Sequence, residues 1–293
     1  MPLLHDFRTE TAEKTMNYEI KDNTIIVPNT FFDAKSTLFS GQAFRIKELA
    51  ENKWLIPSKD LAAIVEVKGD VTEISSDDPT YFARFFDLDA NYNEYFENLN
   101  DVFALGTISS CPPLKIMRQE KFETVIDFIM SANNNIKRFS KTLDKIAEKY
   151  GEKKTFENVP YYAFPSAEVL SKADVNDLKA FGCGYRDRYV IETSKKIAEG
   201  FDLEKVSSLD TLSANKYLCA LSGIGEKVAD CILLFAYQKY DAFPVDTWME
   251  KVYRESYGGT ESDRKKIRRF FVNTFGDKAG IIQQYLFYSA REK

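Results

Sequence analysis

Leu221-Ser222-Gly223-Ile224-Gly225-Glu226-Lys227-Val228-Ala229-Asp230-Cys231 decides how the rest of this chain is read. Two glycines one residue apart join an apolar helical stretch ending near Leu221 to a second beginning near Gly225, a helix–hairpin–helix over about 212–240. Glycine permits positive φ and close approach of another backbone. The second helix opens with unpaired N–H groups and a positive dipole end, both suited to phosphate. With Gly223 and Gly225 at its tip, such a hairpin can grip a DNA backbone without reading bases, although taken alone it is also an ordinary interhelical turn. Lys227, Cys231 and Leu234 share one helix face, so this amine is less water-exposed than a typical surface lysine. At the ordinary pKa of about 10.4, only roughly 0.04% of an amine is neutral at pH 7. Burial and the helix N-terminus are expected to lower that pKa and make Lys227 a nucleophile.

Asp246 follows nineteen residues after Lys227, in Phe243-Pro244-Val245-Asp246-Thr247-Trp248. It ends a short loop and opens a helical pattern, where an aspartate cap is worth about 1 kcal/mol. A carboxylate held by backbone N–H groups can also stabilise an oxocarbenium-like sugar or help deprotonate an attacking amine. Cap and catalyst are compatible roles.

Working outward, the first third reads as short strands and turns. Tyr18-Glu19-Ile20 and Thr24–Val27 flank Asp22-Asn23, and Ala43–Lys47, Trp54–Ile56, Ala62–Val67 and Val71–Ile74 follow. This spacing implies one antiparallel sheet. Asp78-Pro79 reads as an N-cap with proline in the first helical turn. Cys111-Pro112-Pro113 marks a boundary, since proline resists helix continuation. Beyond it, helical periodicity runs through Lys121–Met130, Ile136–Tyr150, Val175–Phe181, Tyr189–Glu199, Thr247–Tyr257, Arg264–Phe275 and Gly280–Ala290. The expected fold is α+β: an antiparallel sheet-bearing domain over 1–112, then a helical region over 113–293 with two subdomains.

Composition bounds the function. The 293 residues are 44% hydrophobic and 29% charged with 13 Gly and 9 Pro, a globular composition rather than a fibrous or disordered one. Four cysteines without a C-x-x-C pair lack the usual spacing of a zinc site or an iron–sulfur cluster. Met1–Arg8 lacks a signal-peptide pattern and no apolar run reaches about 18 residues. The chain is therefore expected in the cytoplasm or nucleoid of a prokaryote or the nucleus of a eukaryote, neither secreted nor membrane-bound. A net charge of −5 by itself argues against nucleic acid. The distribution is uneven, however: nine acids and one base between Asp70 and Asp101, seven bases and three acids between Lys251 and Arg269.

Several segments together resemble the 8-oxoguanine DNA glycosylase/lyase family of the helix-hairpin-helix DNA glycosylase superfamily. Leu221–Asp246 resembles its hairpin, proline loop and aspartate. Ser40-Gly41-Gln42-Ala43-Phe44-Arg45, Asn133-Asn134-Asn135-Ile136-Lys137-Arg138 and Gly184-Tyr185-Arg186-Asp187-Arg188-Tyr189 resemble its S-G-Q-x-F-R, N-N-N-I-x-R and G-Y-R-x-R-Y segments. The likeness runs from about residue 38 to at least 287. It implies that Lys227 attacks C1′ of the damaged nucleotide as the Schiff-base nucleophile, with Asp246 as the essential aspartate. It implies that the Gly41 carbonyl accepts the N7–H that 8-oxoguanine has and guanine lacks, that Cys231 and Phe287 sandwich the extruded base, and that Gln283 contacts its Watson–Crick edge. Asn133 then fills the vacated stack, Arg138 and Arg186 contact the orphaned cytosine, and Tyr185 wedges beside it. Backbone carbonyls of Cys219, Leu221 and Ile224 match positions that can hold a structural cation bridging to phosphate; the chemistry itself needs no cofactor. The implied partner is double-stranded DNA with 8-oxoguanine opposite cytosine, bound by a monomer.

Two positions depart from the animal relatives. Trp248 stands where they carry a histidine, and Phe235 where they carry methionine. The alternatives are a bifunctional superfamily glycosylase for another lesion, and a noncatalytic hairpin DNA-binding protein. Lys227 speaks against alkyl-base enzymes that use the aspartate alone. The noncatalytic reading leaves Lys227, Asp246 and the Gly41 segment a coincidence.

Overall fold

The computed structural model describes residues 17–292; Met1–Arg8, read above for targeting signals, and with it the sole histidine, His5, lie outside them. Strands β1 (Glu19–Lys21), β2 (Thr24–Pro28), β3 (Lys47–Ala50), β4 (Lys53–Ser58), β5 (Leu61–Lys68) and β6 (Val71–Ser76) form one antiparallel sheet in the order β1-β2-β6-β5-β4-β3. Tight two-residue connections set the registers Lys21↔Thr24, Ser58↔Leu61 and Lys68↔Val71. The turns use Asp22, Lys59 and Gly69 at positive φ, which reverses the chain within two residues. Alternation then faces Ile25, Val27, Trp54, Ile56, Val65 and Ile74 to one core with Phe82, Phe85 and Phe86.

Helix α1 (Ala34–Phe39) precedes β3, and α2 (Pro79–Phe85), α3 (Tyr92–Phe96) and α4 (Val102–Ser110) follow β6. Asp78 caps α2 through the Tyr81 N–H at 2.8 Å, as its Asp-Pro start predicts. The expected strand over Ala43–Lys47 is instead irregular to residue 46, and β3 starts at Lys47. The reason is side-chain anchoring. Gln42, fully buried, donates to the carbonyls of Thr37 (2.9 Å) and Lys115 (2.8 Å) and accepts from the Met117 N–H (2.8 Å). Phe44 inserts edge-on against Phe128 and Phe139, pulling the segment away from strand pairing.

The helical part comprises α5 (Lys121–Ser131), α6 (Ile136–Tyr150), α7 (Ala167–Leu170), α8 (Val175–Phe181), α9 (Asp187–Ala198), α10 (Lys205–Ser208), α11 (Thr211–Leu218), α12 (Glu226–Tyr237), α13 (Thr247–Tyr257), α14 (Arg264–Phe275) and α15 (Ala279–Glu292). A hairpin of β7 (Lys153–Phe156) and β8 (Val159–Tyr162), not foreseen from its polar sequence, packs Phe156 and Tyr161 on Leu55 and Ile64 of the sheet. Helix α12 runs through the largest core. Ala104 of α4 shares a second core with Phe243, Phe271 and Leu286. The sheet and helices are tied by buried Asp87, which accepts from Tyr92 (2.9 Å), Tyr240 (3.0 Å) and Arg118 Nε (2.9 Å). Beside it, Lys115 Nζ donates to the Ala90 carbonyl at 2.6 Å and lies 3.7 Å from the Phe31 ring centre and 4.4 Å from that of Tyr92. Among the described residues no helix is long and apolar enough to cross a membrane.

Candidate active site

One solvent-open cleft of about 320 Å³ brings together Gly41, Lys227, Cys231, Asp246, Gln283 and Phe287, with Phe128, Phe235, Pro244 and Gln284 completing its wall. These residues come from the loop after α1, from α5, α12 and α15, and from the loop that opens α13. Local sequence aims each group. Gly225 caps α12 with extended backbone, so Lys227 falls in the first turn of that helix. Asp230, one turn on and nearly fully buried, pairs with Arg268 Nε of α14 at 2.5 Å and accepts from Asn215 Nδ2 of α11 at 2.7 Å. Those bonds fix the rotation of α12 and turn the Lys227–Cys231 face to the cleft. Asp246 Oδ1 accepts both the Trp248 and the Met249 N–H at 3.0 Å, so the carboxylate does cap α13.

The protonation of Lys227 differs from the sequence expectation. Burial does pull its pKa down, but the Cys231 sulfur and the Asp246 carboxylate outweigh burial and leave the ammonium above its ordinary value. Burial pushes the Cys231 thiol up to about 11, so at pH 7 it keeps its proton. Asp246 is then the anion acting on Lys227 at neutral pH. The Lys227 ammonium also lies 5.8 Å from the Phe128 ring centre, and Phe128 stacks on Phe235 at 5.4 Å and 10°. Phe235, the departure noted in the sequence, is thus the second leaf of an aromatic wall. Trp248 lies under Lys251, 5.9 Å from its Nζ.

Gly41 has φ +79°, and a Cβ there would come within 3.2 Å of the Phe287 ring and 2.9 Å of Arg291 Nη1. Only glycine fits both the conformation and the space. Gln283 is 4% exposed and its Oε1 has no hydrogen-bond partner among the described residues, an acceptor left open on the cleft wall. Phe128 and Gln284 carry no local sequence signal; their roles arise only from packing across the cleft.

The remaining expected contacts lie outside the cleft. Asn133 is exposed, at φ +48°, in the turn between α5 and α6. Arg186 is buried beneath it, donating from Nε to the Ala132 carbonyl (2.9 Å) and from Nη2 to the Asn133 carbonyl (3.0 Å). Arg138 is exposed with no side-chain partner among the described residues. Tyr185, 53% exposed, lies 4.3 Å from the Arg186 guanidinium. At the hairpin, Gly223 has φ +82° and a Cβ would meet the Tyr189 side chain at 2.8 Å. The carbonyls of Ala220 and Ser222 accept from Lys196 (2.6 Å) and Thr193 (2.8 Å) of α9. Cys219, Leu221 and Ile224 lie beside these pinned positions.

Charge also sorts differently from the sequence. On α14, Arg264 pairs with Glu250 (2.8 Å), Lys265 with Glu226 (2.7 Å), Lys266 with Glu261 (2.8 Å) and Arg268 with Asp230. The basic run between Lys251 and Arg269 is largely neutralised. Cations without acidic partners among the described residues stand instead along α6, at Lys137, Arg138, Lys141 and Lys145.

A sheet domain and a helical body with a capped aspartate, a glycine hairpin and a lysine on one cleft define a helix-hairpin-helix DNA repair architecture, and comparison with known proteins agrees. A probable N-glycosylase/DNA lyase of Methanothermobacter thermautotrophicus is 32% identical over 226 residues, 70% of this chain and 72% of that protein. The N-glycosylase/DNA lyase of Saccharomyces cerevisiae is 30% identical over 195 residues, 61% of this chain and 51% of that one. The structure of Clostridium acetobutylicum 8-oxoguanine glycosylase/lyase, bound to DNA with cytosine opposite 8-oxoguanine, superposes with a TM-score of 0.88 at 33% identity, covering 94% of this chain and 99% of that one. Residues 126–275 match the HhH-GPD superfamily of base excision DNA repair proteins. The chain belongs to that superfamily.

Proposed function

We propose that this protein excises 8-oxoguanine from duplex DNA and cuts the strand at the resulting site. The observation that carries this reading is the single cleft shared by Lys227, Asp246, Gly41, Cys231, Gln283 and Phe287. The flipped base enters between Cys231 and Phe287, its Watson–Crick edge toward Gln283 and its N7–H toward the Gly41 carbonyl. Guanine offers an acceptor at N7, so the same carbonyl repels it. Lys227 Nζ bonds to C1′ as the bond from C1′ to the base breaks. Lys227 begins as an ammonium and must give up a proton; the leaving base gains negative charge and needs one. Asp246 stabilises the cationic sugar between these events. Opening of the sugar ring then breaks C1′–O4′ as the nitrogen lone pair forms the second C–N bond and O4′ takes a proton. The resulting imine acidifies the 2′ hydrogen, and its loss expels the 3′ phosphate by breaking C3′–O3′.

Extrusion costs a few kcal/mol of lost stacking. Asn133 and Tyr185 fill that gap, a reading supported by the bond from buried Arg186 to the Asn133 carbonyl and by the Tyr185 ring beside the same arginine. Arg138, unpartnered and exposed, is the free guanidinium for the orphaned cytosine. Backbone carbonyls of Cys219, Leu221 and Ile224 would hold a cation against phosphate, with no part in the chemistry. The protein acts as a monomer on duplex DNA.

Borohydride trapping on duplexes of defined lesion tests this reading. A covalent adduct with 8-oxoguanine opposite cytosine, formed faster than opposite adenine, is expected. Binding without any adduct would leave only a hairpin DNA-binding protein, and an adduct confined to oxidised pyrimidines would move the lesion assignment.

A further inference from the structure

Helix α15 does more than wall the cleft. Three of its side chains, at 284, 287 and 291, fall on one face at helical spacing and hold the end of α1 and the start of the loop after it at three successive residues. Gln284 Nε2 donates to the Ser40 carbonyl at 3.1 Å, the Phe287 ring lies against Gly41, and Arg291 Nη2 donates to the Phe39 carbonyl. The same Arg291 guanidinium stands 5.5 Å from the Phe287 ring centre. Its Nη1 lies 2.9 Å from the place a Gly41 Cβ would occupy and is buried without a hydrogen-bond partner among the described residues. The other arm of the fork is tied down, since Nη2 also lies 4.0 Å from Glu292 Oε1, so the half-buried guanidinium is anchored at one end while Nη1 is enclosed beside Gly41. Nothing about Arg291 touches Lys227 or Asp246.

We infer that Arg291 is a positioning residue for lesion discrimination: it clamps the Phe39–Gly41 backbone to Phe287 and so fixes where the Gly41 carbonyl stands relative to the base. The inference rests on the reading of Gly41 given above. A carbonyl that must tell N7–H from a bare N7 needs its place defined to a fraction of an ångström, since hydrogen bonds weaken steeply with misalignment. Phe287 stacks the base and Gly41 reads its edge, and a planar guanidinium in contact with both sets one against the other. Lysine can keep a charge and one bond to Phe39, but not the fork that spans loop and ring.

The test separates base reading from strand chemistry. Arg291→Ala and Arg291→Lys are compared with the parent for equilibrium binding to duplexes carrying 8-oxoguanine or guanine opposite cytosine. Strand cleavage at a preformed abasic site, which has no base to read, is measured on the same preparations. The expected result is a preference for the lesion reduced about tenfold in Arg291→Ala, the scale of one mispositioned hydrogen bond. Arg291→Lys should fall between that variant and the parent, with abasic-site cleavage unchanged within about twofold in both. An unchanged lesion preference in Arg291→Ala overturns the inference, and so does a parallel fall in abasic-site cleavage, which marks general loosening of the fold. A parent protein without lesion preference overturns the Gly41 reading itself, a different result from a parent that prefers the lesion and a variant that does so equally.

Discussion

Two lysines, one buried and one half-buried, sit in this protein under opposite electrostatics. Lys115, 2% exposed, is enclosed by the Phe31 and Tyr92 rings and the Ala90 carbonyl, and burial drives its pKa down to about 8 even with Asp87 nearby. Lys227 faces an open cleft beside Cys231 and Asp246 and is held above its ordinary value. By pKa alone, Lys115 would be the better nucleophile. It has no path to a substrate, and its depressed value records only the discomfort of a buried charge. The amine we propose as reactive is the one with space in front of it and a carboxylate beside it. An activated proton equilibrium is therefore something the substrate must complete, by bringing in a leaving group that takes a proton.

The largest effect that could break this comparison is exchange of the two lysines for neutral residues. Lys227→Gln should lower excision by at least about a thousandfold and abolish the borohydride adduct, as loss of a nucleophile does. Lys115→Met should trap at close to the parent rate. An adduct lost in folded Lys115→Met would assign the chemistry to the wrong amine.

Next in size is Asp246→Asn. The amide oxygen can still cap α13, so thermal unfolding should stay near the parent's, while single-turnover excision slows about 100-fold for want of the anion. Removing the carboxylate removes an influence that raises the Lys227 pKa. The acid limb of the pH–rate profile should therefore move to lower pH. A limb that stays in place would show that Asp246 does not set the protonation of Lys227.

Lys115 makes a thermodynamic prediction. Its folded pKa lies below the unfolded value, so its contribution to stability is fully present above about pH 10.5 and is lost as pH falls through about 8. The parent should gain stability relative to Lys115→Met across that window, by on the order of 3 kcal/mol. Urea unfolding of both proteins at pH 7.5 and 10.5 reads the difference directly, and equal pH dependence would place the Lys115 charge in water.

The smallest effect belongs to Cys231→Ser. Because the thiol is neutral at pH 7, its replacement should change the excision rate by less than about threefold, as side-chain changes without charge or cavity do. A large shift of the acid limb in this variant would mean that a thiolate, and not Asp246, holds the Lys227 proton.

What could be read from the chain alone follows from how local each feature is. Lys227 and Cys231 share a face because one helix carries both, and Asp246 announces itself by the Pro-Val-Asp start of α13. The hairpins around Asp22 and Gly69 are equally local, as is the capped start of α2. Arg186 was visible as a matched arginine, but not as the buried brace of the Asn133 turn, because its partners lie more than fifty residues away. The strand expected over Ala43–Lys47 failed because Gln42 and Phe44 answer to Lys115, Met117, Phe128 and Phe139, not to their neighbours. The sign of the Lys227 shift failed for a related reason: burial is visible in an apolar helix face, whereas the Cys231 sulfur one turn along and the Asp246 carboxylate at the start of α13 outweigh it only together, once the two elements are packed around the ammonium.

The contact between Gly223 and Tyr189 bears on portability. The hairpin tip has no side chain because the flat of a tyrosine from α9 occupies the place, and that tyrosine stands edge-on to Tyr185 at 6.1 Å. Two more bonds from α9, through Thr193 and Lys196, hold the hairpin carbonyls on either side of Leu221. Transplanted onto another scaffold, Leu221–Lys227 would arrive without the ring that shapes it and without the donors that fix its backbone. A graft meant to confer phosphate binding has to carry α9 as well, and Tyr189 of α9 is itself packed against Tyr185 of the preceding turn.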